Sequence, residues 1–164
     1  MTEFRVFLSY TSREEEVKQL QPLINLYCRD LWEWARSNGI EIFYDGFMME
    51  KRPYTELELE TILKDAVNGS NLMTAFLSPL YIESKWCRLE YLESREKAKP
   101  VHAVFWKRFM LDMSPFSPLA QYLEPEGFTD VTYLRENPTA QEFERAAKEC
   151  VENSIELIRQ HYQI

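Results

Sequence analysis

The segment Ser84-Lys-Trp-Cys-Arg-Leu-Glu90 holds the most suggestive pairing of residue types in the chain. If it is helical, Trp86 and Glu90 stand four apart and present an indole and a carboxylate on one face. The ring offers a stacking surface for a flat heterocycle. Its apolar bulk excludes water, so a neighbouring carboxylate acts more strongly on developing positive charge. Spacing alone leaves the plainer reading open, with Trp86 in the core and Glu90 a surface acid. Asp45 closes a β-rich run and is either a carboxylate at a crevice or a turn former. Cys87 has no histidine near it in sequence to activate it and reads as an inert, half-buried thiol. The only histidines are His102 and His161, so a His-rich metal site or a serine-type triad lacks its parts, and His102, inside a β-rich run, reads as structural. Gly-x-Gly-x-x-Gly, a phosphate loop ending Gly-Lys-Ser/Thr and a Gly-x-Ser-x-Gly elbow are all missing, which excludes classical dinucleotide binding.

The elements that must position these residues follow from hydrophobic period. Phe4 to Tyr10 is a short apolar run expected as a strand buried on both faces. Ser12 with Glu15 has capping-box spacing, and Val17, Leu20, Leu23 or Ile24, Tyr27, Leu31 and Trp34 recur at helical spacing up to Gly39. Pro22 leaves two options, a kinked helix or a helix that begins with Pro22 in its first turn. Ile40 to Tyr44 is expected as the second strand, and Asp45 to Tyr54 as a long polar connection. Thr55 with Glu58 caps a second helix with Leu59, Ile62, Leu63, Ala66 and Val67 inward, and Asn68-Gly69 stops it. Met73 to Leu77 is the third strand. From Ser78-Pro79 a helical stretch runs to about Lys99, with a restart at Ser84 as the alternative. Val101 to Trp106 is strand four, Lys107 to Gly127 is irregular, and Phe128 to Thr132 is strand five. Thr139 with Glu142 caps a last helix with Phe143, Ala146 or Ala147, Cys150, Ile155 and Ile158 inward.

Strands alternating with helices predict an α/β fold, a flavodoxin-like open parallel five-stranded sheet with helices on both faces. Its ligand crevice lies beyond the carboxyl ends of the strands, where Ser9 to Arg13, Asp45 to Tyr54 and the segment from Ser78 meet. The 164 residues, 45% hydrophobic and 28% charged, read as a single domain over 1–164, either a whole protein or the N-terminal domain of a larger one. A domain of this size buries roughly 70% of its unfolded surface, so no disulfide or structural metal is required. The net charge of −8 argues against generic binding to nucleic acid or to an anionic membrane. Cys28, Cys87 and Cys150 form a sparse, odd set that fits a reducing compartment. No stretch approaches the roughly 18 apolar residues of a membrane span, so a cytoplasmic protein is expected.

Four collinear motifs, Val6-Phe-Leu-Ser-Tyr10, Ile42-Phe-Tyr-Asp45, Phe76-Leu-Ser-Pro-Leu-Tyr81 and Ser84-x-Trp-Cys-x-x-Glu90, together resemble the Toll/interleukin-1 receptor (TIR) domains over nearly the whole chain. The resemblance is to the NAD+-cleaving type, and a bacterial origin is expected. It implies that Glu90 is the catalytic glutamate, that Trp86 lines the pocket, and that Tyr10 and Arg13 sit in the loop that contacts the nucleotide, Arg13 balancing a pyrophosphate. It makes 45–54 the BB loop, which gates the site and packs on the next protomer. Asp45 and Phe47 would then contact substrate, although an exposed aromatic on a plain surface loop is the alternative for Phe47. Where the family commonly has Arg-Asp and Pro-Gly in this loop, the chain has Tyr44-Asp45 and Pro53-Tyr54. The activity implied is that of an NAD+ glycohydrolase or cyclase in cell-intrinsic defence or signalling, with NAD+ as substrate, no resident cofactor or metal, and homo-oligomers through TIR–TIR contacts. A non-catalytic TIR interaction module is the alternative, and a nucleoside deoxyribosyltransferase-like enzyme a third.

Overall fold

The computed structural model describes residues 3–11, 13–45, 54–78, 80–81, 84–106, 130–134 and 139–163. Ser12, Phe47 with the rest of 46–53, and the irregular stretch 107–127 therefore lie outside the described residues. Strand β1 (Glu3–Ser9) alternates, with Phe4, Val6 and Leu8 in one core cluster and Phe7 in the other. Helix α1 (Glu14–Ser37) runs unbroken through Pro22. A buried stripe of Leu20, Leu23, Ile24, Tyr27, Leu31 and Ala35 outweighs the one N–H that the proline removes. Arg13, in extended conformation, takes the N-cap position without a side-chain capping bond, and Glu14, Glu15 and Glu16 complement the positive end of the helix dipole. Gly39 at φ +70° ends the helix, and Ile40 N–H returns to the Ala35 carbonyl at 2.9 Å.

Strand β2 (Glu41–Asp45) starts one residue later than the apolar run suggests, because Ile40 is spent on that closure. Helix α2 (Glu56–Asn68) is capped by Thr55, whose hydroxyl accepts from Glu58 N–H at 3.2 Å. Strand β3 (Leu72–Leu77) is buried throughout. The stretch from Ser78 does not form one helix: Ser84 N–H closes on the carbonyls of Leu80 and Tyr81, and α3 (Lys85–Glu96) restarts from Ser84, whose hydroxyl accepts from Cys87 N–H at 3.2 Å. Strand β4 (Val101–Trp106) follows. Strand β5 (Asp130–Leu134) reaches two residues beyond the expected Thr132, and α4 (Ala140–Tyr162) is capped by Thr139. On α4, Val151 and Ser154 join the expected inward positions, and both Ala146 and Ala147 are buried.

All the strand pairs are parallel, in the order β2-β1-β3-β4-β5, which is the doubly wound order of flavodoxin-like sheets. Helices α1 and α4 cover one face through Phe4, Val6, Leu72, Phe76 and Val104. Helices α2 and α3 cover the other through Phe7, Met73, Ala75, Leu77 and Ala103. His102 is fully buried in β4, opposite Thr74 of β3. Among the described residues no helix is long and apolar enough to cross a membrane.

The first face is pinned by a buried polar tie. The Tyr27 hydroxyl on α1 lies 3.0 Å from Thr74 Oγ1 on β3 and 2.8 Å from Ser154 Oγ on α4. Replacing Tyr27 by Phe leaves two buried hydroxyls without this partner and is expected to destabilise the fold by about 1–3 kcal/mol, measured as the urea midpoint shift at unchanged slope.

Candidate active site

Strands β1 and β3 lie side by side in parallel register, Ser9 opposite Ala75, and their chains leave in opposite directions, β1 toward β2 and β3 toward β4. Such a reversal opens a crevice at the carboxyl ends of the strands. Helix α3 turns Cys87, Glu90, Tyr91 and Ser94 inward at helical spacing, so Glu90 reaches this edge with only 7% of its surface exposed. The Ser9 hydroxyl, at the end of β1, donates to Glu90 Oε2 at 2.6 Å. Tyr81 Oη lies 2.7 Å from Ser9 Oγ. A serine has one proton to give, so with Glu90 ionised the chain runs from Tyr81 to Ser9 to Glu90.

Burial pushes the Glu90 carboxyl up to about 8, against the downward pull of the Ser9 bond. The group is therefore poised near neutrality, where an arriving or developing cation decides its ionisation. Cys87 is the opposite case: burial first, and then the charge of Glu90, push its thiol far up, which makes it an unreactive neighbour, in line with its sequence reading.

The other predicted site residues have surroundings of their own. Tyr10, half-buried, packs edge-on to Phe76 with centroids 6.5 Å apart, and its phenol is raised by burial and then by the charges of Cys28 and Glu90. Trp86 is half-buried, one helical turn before Glu90, packed against the α2–α3 cluster with Lys85 Nζ 5.1 Å from its ring centroid. Arg13 is exposed at the start of α1. Asp45 ends the outer strand β2 and pairs with Arg5 at 3.6 Å, a part-exposed contact. Phe47 lies outside the described residues. Of these residues Tyr10 is the one whose phenol feels the charge of Glu90, and Asp45 has a partner of its own on β1.

Three contributors went unassigned in the sequence. Ser9 and Tyr81 stand inside the quoted motifs, and their only local signal is a hydroxyl at the edge of an apolar run. Glu16 sits in an acidic helix start, yet it is buried and accepts from the Ser78 hydroxyl and from Leu80 N–H at 3.2 Å. Its signal is position, since residue 16 falls on the same stripe as Leu20, Leu23 and Tyr27. Among the described residues no cluster of three or more His, Cys, Asp or Glu is arranged to hold a metal ion.

No family model matches the chain, and no curated protein is significantly similar to it. Among solved structures, a conserved protein from Enterococcus faecalis V583 superposes with a TM-score of 0.53 at 11% identity, over 90% of this chain and 99% of that one. The TIR domains of the activated Roq1 resistosome, which directly recognises the pathogen effector XopQ, give 0.42 at 18% identity over 92% and 84%. A 3-dehydroquinate dehydratase-like protein from Bifidobacterium longum gives 0.43 at 12% over 93% and 97%. The first likeness is one of fold, and the two below 0.5 bear on nothing further.

The raised Glu90 has a thermodynamic consequence. Its ionised form is disfavoured in the fold, so its cost begins to grow once the pH passes the ordinary carboxyl value of 4.5 and is complete above about 8. Glu90→Gln escapes that cost. The melting temperature of the variant relative to the parent is expected to rise between about pH 5 and pH 8 and to level off above, as followed by calorimetry.

Proposed function

We propose that the chain is a TIR-type enzyme that cleaves the nicotinamide–ribose bond of NAD+. The observation that carries this reading is the buried Glu90 carboxylate, bonded by Ser9, which Tyr81 meets in turn, at the carboxyl edge between β1 and β3. The resemblance of the four motifs to TIR domains supplies the substrate.

The reaction needs little more than a fixed negative charge. The bond from ribose C1′ to the pyridinium nitrogen breaks with its electron pair passing to that nitrogen, so nicotinamide leaves neutral without a general acid. The positive charge moves to C1′ and the ring oxygen, where Glu90 stabilises it. Water then adds to C1′ and loses a proton, giving ADP-ribose; attack by an adenine nitrogen gives the cyclic product. Tyr10 and Trp86 offer aromatic surface to the nucleotide, and Arg13 offers charge to the pyrophosphate. Self-association through TIR–TIR contacts, with Asp45, Phe47 and the remainder of 45–54 among the contacting residues, makes turnover depend on protein concentration.

Ionised Glu90 is the working form, and in the free protein it is held up near 8. Hence kcat/KM for NAD+ is expected to climb with pH toward about 8, while the inflection in kcat falls lower because the cationic pyridinium ring of the bound substrate lies beside the carboxylate. The deciding experiment is chromatography of products after incubating concentrated protein with NAD+. Nicotinamide release should drop by about 10²–10³-fold or more in Glu90→Gln, and Trp86→Ala should act mainly on KM. No release at high concentration, with or without a crowding agent, would favour the interaction-module reading, and base exchange on free deoxynucleosides would favour the transferase.

A further inference from the structure

Glu16 is a buried carboxylate that the proposed reaction does not use. It lies on the first turn of α1, yet its partners are 62 and 64 residues away, in the turn after β3. Burying a carboxylate is costly unless donors compensate it, and the donors here include the Ser78 hydroxyl and the Leu80 N–H, which approaches both carboxylate oxygens at 3.2 and 3.3 Å. An apolar residue would fill this stripe position with less penalty, so the arrangement asks for a second role.

The turn that Glu16 grips carries what Glu90 needs. The Ser78 hydroxyl that donates to Glu16 also accepts from Tyr81 N–H at 3.3 Å. The carbonyls of Leu80 and Tyr81 receive the Ser84 N–H, and Ser84 caps α3. The Tyr81 ring is fully buried in the α2–α3 cluster, and its hydroxyl meets Ser9. We propose that Glu16 is a positioning residue: by clamping Ser78 and Leu80 it fixes the turn so that the Tyr81 hydroxyl orients Ser9 against Glu90. Among the described residues, the titratable groups that interact with Glu90 include Tyr10 after β1 and Cys87 on α3; Tyr81 in the turn reaches it through Ser9, and Glu16 from α1 bears on Cys87.

This assignment deepens the reading of Glu90 as the working carboxylate, and its test does not use turnover. In full-length protein labelled with carboxyl-¹³C glutamate, the Glu90 resonance is identified by its loss in Glu90→Gln and titrated in Glu16→Gln, Ser78→Ala and Tyr81→Phe. Each variant is expected to raise the Glu90 midpoint by about half a pH unit or more, because a bond that favours the ionised form is weakened. Ser78→Ala combined with Tyr81→Phe should shift it no further than Tyr81→Phe alone. A melting temperature that falls while the midpoint stays put in Glu16→Gln and Ser78→Ala would overturn the proposal, leaving Glu16 a stability residue. So would a lowered midpoint in Glu16→Gln, the mark of direct repulsion between the carboxylates. If Glu16→Gln does not fold, Ser78→Ala decides, since it cuts the same clamp without a charge change. A shifted midpoint without nicotinamide release keeps the clamp and removes the NAD+ reading; release with an unshifted midpoint does the reverse.

Discussion

One short hydrogen bond, from the last residue of β1 to a carboxylate on α3, organises the carboxyl edge of this sheet. A carboxylate as buried as Glu90 must either keep its proton or be met by donors, and Ser9 meets one of its oxygens at 2.6 Å. That contact requires β1 and β3 to be neighbours in parallel register, and α3 to start at Ser84 so that Glu90 falls on its inward stripe. A helix running on from Ser78 would rotate that stripe by its own phase. The caps and the turn after β3 therefore belong to the site as much as the carboxylate does.

The two faces of the sheet divide the work. On the α1–α4 face, Tyr27 ties two helices to β3 through hydroxyls sealed in an apolar cluster, a satisfied network that specifies one packing. On the α2–α3 face the apolar cluster, Tyr81 included, meets a polar carboxyl edge where the Tyr81 hydroxyl, Ser9 and Glu90 join. Helix α1 serves both: its middle packs on the first face, and its first turn sends Glu16 across to Ser78 and Leu80.

What was legible in the sequence was local. The capping boxes at Thr55 and Thr139 stand where their hydroxyls accept the expected N–H groups, and Val101–Trp106 forms a strand with the bounds of its apolar run. Trp86 and Glu90 stand on one helix as their spacing suggests, with Trp86 half-buried and Glu90 buried. Pro22 was ambiguous because a local helix breaker opposed a longer apolar stripe, and the stripe won. Ser9, Tyr81 and Glu16 were illegible as a group because their bonds join residues 72, 81 and 62 apart, a separation that periodicity does not register. Asp45 shows the same limit, since its partner Arg5 becomes visible only once β1 and β2 are in register.

A buried carboxyl held near 8 suits a reaction in which positive charge moves rather than appears. In the proposed cleavage the nicotinamide ring arrives as a cation, and placed beside the carboxylate it favours loss of the Glu90 proton and creates an ion pair in a site where water screens it poorly. As the bond breaks, the charge leaves the departing ring for C1′, and nicotinamide becomes neutral. A carboxylate facing C1′ then gains attraction in the transition state that it lacks when the charge sits on the pyridinium, which is the differential binding that lowers a barrier. Ser9 and Tyr81 serve that end by fixing the carboxylate before substrate arrives, so that little reorganisation remains when the charge moves.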